Sequence, residues 1–122
     1  MPNPIESKQI DPKPIEPKFP KYIEQLVDVL NEIQASDITV IDVSKQTSVT
    51  DYMIICSGRS SRHVKAIGET VLEKNKQRGQ PPLGSHGLET GDWVLIDLGD
   101  CILHIMQHEV RAHYNLEGLW HN

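Results

Sequence analysis

Apolar positions along the chain recur with two different periods. In "KYIEQLVDVLNEI", Tyr22, Leu26, Val29, Leu30 and Ile33 fall three and four apart, which marks one face of a helix. Pro20 suits its start, because a missing N–H costs nothing there. The helix is expected to end near Gln34. "DITVIDV", Asp37 to Val43, is rich in β-branched residues and predicts a strand. "DYMIICS", Asp51 to Ser57, is almost continuously apolar, as in a central strand covered on both faces. Helical spacing returns with Val64, Ile67, Val71 and Leu72. Ser60 or Ser61 can cap this second helix, and Gly79 ends it. Pro81-Pro82 prevents continuation. "LGSHGLETGD" reads as loop with room for a short edge strand.

"WVLIDLGDCILHIM" predicts a hairpin closed by a two-residue Gly99-Asp100 turn. That turn sets Leu98 against Cys101, Ile96 against Leu103 and Val94 against Ile105, an apolar face. The other face pairs Asp97 with Ile102, Leu95 with His104 and Trp93 with Met106. Glu109 to Tyr114 is expected as a short helix. A turn follows in which Leu116, Leu119 and Trp120 share a face, with Gly118 weakening any helix. The order α-β-β-α-(β)-β-β-α implies an α/β fold, a mixed sheet with helices mainly on one side.

Length changes the picture little: 122 residues suit one domain. Composition divides it. Residues 1–20 hold six of the eight prolines and repeat Pro-Ile-Glu, which predicts a disordered or extended leader before a domain at 21–122. The leader's three lysines balance three acids, so the net charge of −5 belongs to the domain. An acidic domain is poorly placed for nucleic acid but can meet a basic protein. No apolar run approaches the roughly 18 residues of a membrane span, and the N-terminus lacks a signal-peptide core. Cys56 and Cys101 form no C-x-x-C and suit buried free thiols in a reducing cytoplasm.

Three kinds of chemistry compete. The loop "CSGRSSRH", between a strand and a helix start, could hold a phosphate with Arg59 and Arg62. A capped tight turn explains the same residues. His104, His108 and His113 lie close in sequence, yet a metal needs three or four convergent ligands, and His104 fits better as a hydrogen-bonded surface-strand residue. No Asp-x-Asp pair is present for two-metal chemistry; Asp97 and Asp100 point apart across a turn, and Asp42 meets Asp97 only if their strands are neighbours. The mixed hairpin face remains. Either a helix covers it, or Trp93 and Leu95 form a partly exposed patch of the kind found in protein interfaces.

The blocks "DYMIICSGRSSRHVKAI", "DWVLIDLGDCILHIM" and "RAHYNLEGLW" resemble the ribosomal silencing factor family, the Iojap-related proteins, from about Tyr22 to Trp120. The resemblance implies a non-catalytic protein without cofactor or metal. It implies binding to protein fourteen of the large ribosomal subunit, exclusion of the small subunit, and lower translation when nutrients are short. It also implies a nucleotidyltransferase-like fold without catalytic acids, and homodimers. Carried onto this chain, the partner-binding set is Trp93, Leu95, Asp97 and His104, with Arg111, Tyr114, Leu119 and Trp120 as a C-terminal signature that is partly structural. One departure stands out: the family's usual Glu-Gly pair before the hairpin is here His86-Gly87. The alternative is a nucleotidyltransferase-like enzyme that uses the Gly58–Ser61 loop for phosphate.

Overall fold

Helix α1, Lys21–Glu32, opens on Pro20, whose carbonyl accepts the N–H groups of Ile23 and Glu24 at 3.0 and 3.2 Å. Its apolar stripe buries Ile23, Leu26, Val29 and Leu30; each such side chain contributes about 1.5–3 kcal/mol. The computed structural model describes residues 19–120. The proline-rich leader as far as Lys18 lies outside the described residues, as do His121 and Asn122.

Strand β1, Ser36–Asp42, follows at once and carries a bulge between Ser36 and Thr39, with Asp37 at φ 51°. Strand β2, Tyr52–Gly58, runs antiparallel to β1. Helix α2, Ser61–Gln77, starts at Ser60, whose hydroxyl accepts the His63 N–H. The edge strand β3, Gly84–His86, forms beside β4, Trp93–Asp97, so His86 lies in a strand rather than a loop. Strand β5, Cys101–Gln107, returns antiparallel to β4 and parallel to β2. Helix α3, His108–Tyr114, and a 3₁₀ turn at Leu116–Leu119 complete the described chain. The sheet order is β1-β2-β5-β4-β3. This is the mixed α/β sheet the patterning implies.

The hairpin register is the expected one at every pair from Trp93–Met106 to Asp97–Ile102. Gly99 supplies φ 89° at the turn, a conformation L side chains resist, and the Leu98 N–H bonds the Cys101 carbonyl at 2.8 Å. Alternation then sorts the sheet into two faces. Ile54, Cys56, Val94, Ile96, Cys101, Leu103 and Ile105 pack under α1 and α2 in the main core. Ile41, Val43, Met53, Ile55 and Met106 form a smaller core on the opposite face, against which Trp93, Val110, Leu116 and Trp120 pack. The C-terminal segment, not a long helix, covers that second face. Leu119 does not share in it: it is 68% exposed while Leu116 and Trp120 are half-buried.

Candidate functional site

The second face is assembled from five strands in one row. Pairing places Thr39, Ile55, His104, Leu95 and His86 side by side across the sheet. Trp93 sits one pair along β4 from Leu95, diagonal to His104. Diagonal neighbours on one face lie within reach of long aromatic side chains. Here the reach is used: Trp93 Nε1–H donates to His104 Nδ1 at 3.0 Å. On its other flank the Trp93 ring lies 4.9 Å from the Tyr114 ring at an interplanar angle of 51°, within the range of favourable aromatic pairs.

His104 is not the surface-strand residue the sequence suggested. It is 5% exposed, because the returning C-terminal segment roofs the second core. Burial opposes the charged ring and pushes its pKa down to about 4. The imidazole is therefore neutral at neutral pH. With Nδ1 accepting from the indole, the proton resides on Nε2.

Asp97 is half-buried, and its Oδ1 accepts the Gly99 N–H at 2.9 Å, so it caps the hairpin turn. Leu95 is half-buried beside it, and Tyr114 is 56% exposed. The structure thus brings Trp93, Leu95, Asp97, His104, Tyr114 and Trp120 onto one side of the sheet, with Leu119 projecting at the margin.

Arg111 has a different task. Its Nε and Nη2 donate to Glu117 Oε2 at 2.9 and 2.8 Å. Nη1 donates to the Asp37 carbonyl at 2.7 Å and to Ser57 Oγ at 2.9 Å, and Nη2 also to Thr39 Oγ1 at 3.1 Å. A guanidinium has five N–H donors, and all five are engaged. The polar cleft of about 340 Å³ around it, lined by Asp37, Ser57, His108, Asn115 and Glu117, therefore offers no spare guanidinium donor to an anion. Sequence reasoning placed Arg111 in the site but missed this clamp. Its partners in the sheet lie 54 to 74 residues away on β1 and β2, and no local pattern announces them.

The alternative chemistry can be judged residue by residue. In the Gly58–Ser61 loop, the Arg59 N–H bonds His63 Nδ1 at 3.0 Å, the His63 N–H bonds Ser60 Oγ at 3.1 Å, and the Val64 N–H bonds the Ser60 carbonyl at 2.9 Å. A Cβ on Gly58 would lie 2.8 Å from Val64 Cγ2. The loop is folded onto its own helix, and His63 Nε2 ties it to the Ile33 carbonyl at the end of α1, 2.9 Å away. Asp42 and Asp97 stand on β1 and β4 with β2 and β5 between them. At about 4.8 Å per strand that is roughly 14 Å, too far to share a metal pair. Among the described residues no group of three His, Cys, Asp or Glu side chains could hold a metal ion. No described helix is long and apolar enough to cross a membrane.

Comparison with known proteins adds what geometry alone does not carry. The profile of one family, described as "RsfS: Ribosomal silencing factor during starvation", matches residues 16–122. The chain is 42% identical over 98 residues to "Ribosomal silencing factor RsfS" of Haemophilus influenzae, a match covering 80% of this chain and 96% of that protein. It is 37% identical over 101 residues to "Mitochondrial assembly of ribosomal large subunit protein 1" of Mus musculus, covering 80% of this chain and 44% of that one. A crystal structure of a Chromobacterium violaceum protein superimposes with a TM-score of 0.78 at 41% identity, covering 80% of this chain and 82% of the other.

Proposed function

Because the chain belongs to the ribosomal silencing factor family, we propose that it is a translational repressor of the large ribosomal subunit, seated on protein fourteen. Bound there it excludes the small subunit sterically, and no bond is made or broken. The observation that carries this reading is the second face of the sheet: Trp93 and Leu95 half-exposed, Tyr114 and Leu119 open to solvent, and a polar margin around them. Aromatic anchors of this kind, with a polar rim, suit a protein interface. A standard interface of about 1,600 Å² in total would hold the protein in place. The name of the mouse relative, which refers to mitochondrial assembly of the ribosomal large subunit, supports that side of the ribosome.

On this reading the docking set is Trp93, Leu95, Asp97, Tyr114, Leu119 and Trp120, with His104 and Arg111 beneath it. The protein acts in the cytoplasm, without cofactor, through residues 21–122, and residues 1–20 form a leader. A homodimer formed through the same face would compete with docking. The test is sedimentation with purified large subunits at low salt, with and without small subunits. Co-sedimentation and a shift from joined particles to free subunits are expected. A protein that stays at the top of the gradient would sink the reading. Light scattering across a concentration series decides the dimer.

A further inference from the structure

We infer that His104 is the positioning residue that presents Trp93 for docking: beneath the surface, its Nδ1 lone pair fixes the indole in one orientation. The inference rests on the docking reading above and adds to it the device that prepares the face.

The geometry carries it. An aromatic side chain at the rim of a sheet ordinarily has rotamers to lose when a partner covers it, and that ordering weakens binding. Trp93 has largely lost them already. Its one polar atom is bonded to His104 at 3.0 Å, and its ring is flanked by His104 at 5.8 Å and Tyr114 at 4.9 Å. His104 itself has nowhere to go: it is buried in β5 between Ile55 of β2 and Leu95 of β4.

The chemistry of the pair points the same way. A buried polar ring is costly to the fold, and an apolar ring of the same shape would fill the site without that penalty. Among the described residues, the bond to Trp93 is the one hydrogen bond the His104 side chain makes. An imidazole at this point therefore serves a half-exposed indole rather than the core. Only the neutral ring with its proton on Nε2 offers Nδ1 as an acceptor. Desolvation keeps the ring in that form, with no charged neighbour contributing.

The test uses the full chain. In the ¹⁵N-labelled wild type, a through-bond ¹⁵N–¹⁵N coupling between Trp93 Nε1 and His104 Nδ1 is expected; its absence overturns the inference with no substitution made. His104→Phe keeps a flat ring but deletes the lone pair. The Trp93 indole resonance should then move upfield, its side-chain order should fall, and affinity for large subunits should loosen about tenfold, the scale of one lost hydrogen bond plus one side chain to be ordered. His104→Asn, whose Oδ1 takes the place of Nδ1, should restore part of both. An indole that stays ordered in His104→Phe, or one that loosens with unchanged affinity, overturns the inference. Wild-type protein that does not bind large subunits sinks the docking reading instead, and the coupling and order measurements then still decide whether His104 holds Trp93.

Discussion

Arg111 binds Glu117 through two N–H groups that converge on a single carboxylate oxygen, at 2.9 and 2.8 Å. The remaining three donors reach the β1 bulge and β2. One side chain thereby joins α3, the 3₁₀ turn and the sheet edge. Arg111→Lys keeps the charge but has three donors on a compact head and cannot span these partners. It should cost about 2–3 kcal/mol. Glu117→Gln should cost less, about 1 kcal/mol. Urea unfolding midpoints measure both. Amide exchange at Asn115, which bonds the Arg111 carbonyl at 2.9 Å, should quicken in the lysine variant. Unchanged exchange there would mean that the tail is held by its apolar contacts alone.

Acid should weaken the fold through His104. Its folded pKa is about 4 against an ordinary 6.5, so the unfolded chain binds the extra proton first. The contribution is complete above about pH 6.5, drains as pH falls, and is gone below about pH 4. Its full size is roughly 3 kcal/mol. The difference in stability between wild type and His104→Phe, followed by denaturant unfolding from pH 7 to 4, isolates it from the carboxylates. A difference independent of pH over that window would contradict the burial of a neutral ring.

Trp93 has two debts to separate. Were it freely exposed, removing it would leave stability intact. Its bond to His104 and its contact with Tyr114 predict that Trp93→Ala costs about 2 kcal/mol of stability as well as more than about 1 kcal/mol of binding. Trp93→Phe keeps the ring contact and should recover most of the stability loss without restoring the bond. Thermal unfolding and sedimentation of the two variants side by side separate the effects. Full stability in Trp93→Ala would show the indole to be unattached.

The thiols should be silent. Cys56 and Cys101 are fully buried and free, and burial pushes each pKa up to about 12. An aromatic disulfide reagent at pH 8 should modify them no faster than the protein opens, and both at once in concentrated urea. Rapid labelling of either thiol in native buffer would mean that its strand opens locally.

What the sequence disclosed follows the range of the forces. The hairpin register was readable because Gly99-Asp100 leaves one pairing, and alternation did the rest. The helix limits were readable from Pro20, Ser60 and Gly79. His104 was misjudged because alternation tells which side of β5 it faces but not what lies over it. That depends on the tail, and the tail is held by Arg111 contacts spanning more than 50 residues. The same blind spot placed Leu119 with Leu116 and Trp120, although the short turn aims it outward. The β1 bulge was equally silent, since the short hydrogen bond on the carbonyl of Asp37, at φ 51°, comes from Arg111, 74 residues along the chain. The Trp93–His104 bond was within reach: the predicted register already set the two residues diagonally on one face.

Both tryptophans of the chain, Trp93 and Trp120, pack on the same side of the sheet, and the side roofed by α1 and α2 has none. Ultraviolet emission from this protein is therefore a one-sided signal. It will register a partner settling on the tail or the tail lifting away, and it will be nearly blind to rearrangement of the two long helices. No dye is needed to watch that side, and a melting curve followed by tryptophan emission will report its loosening rather than the opening of the main core.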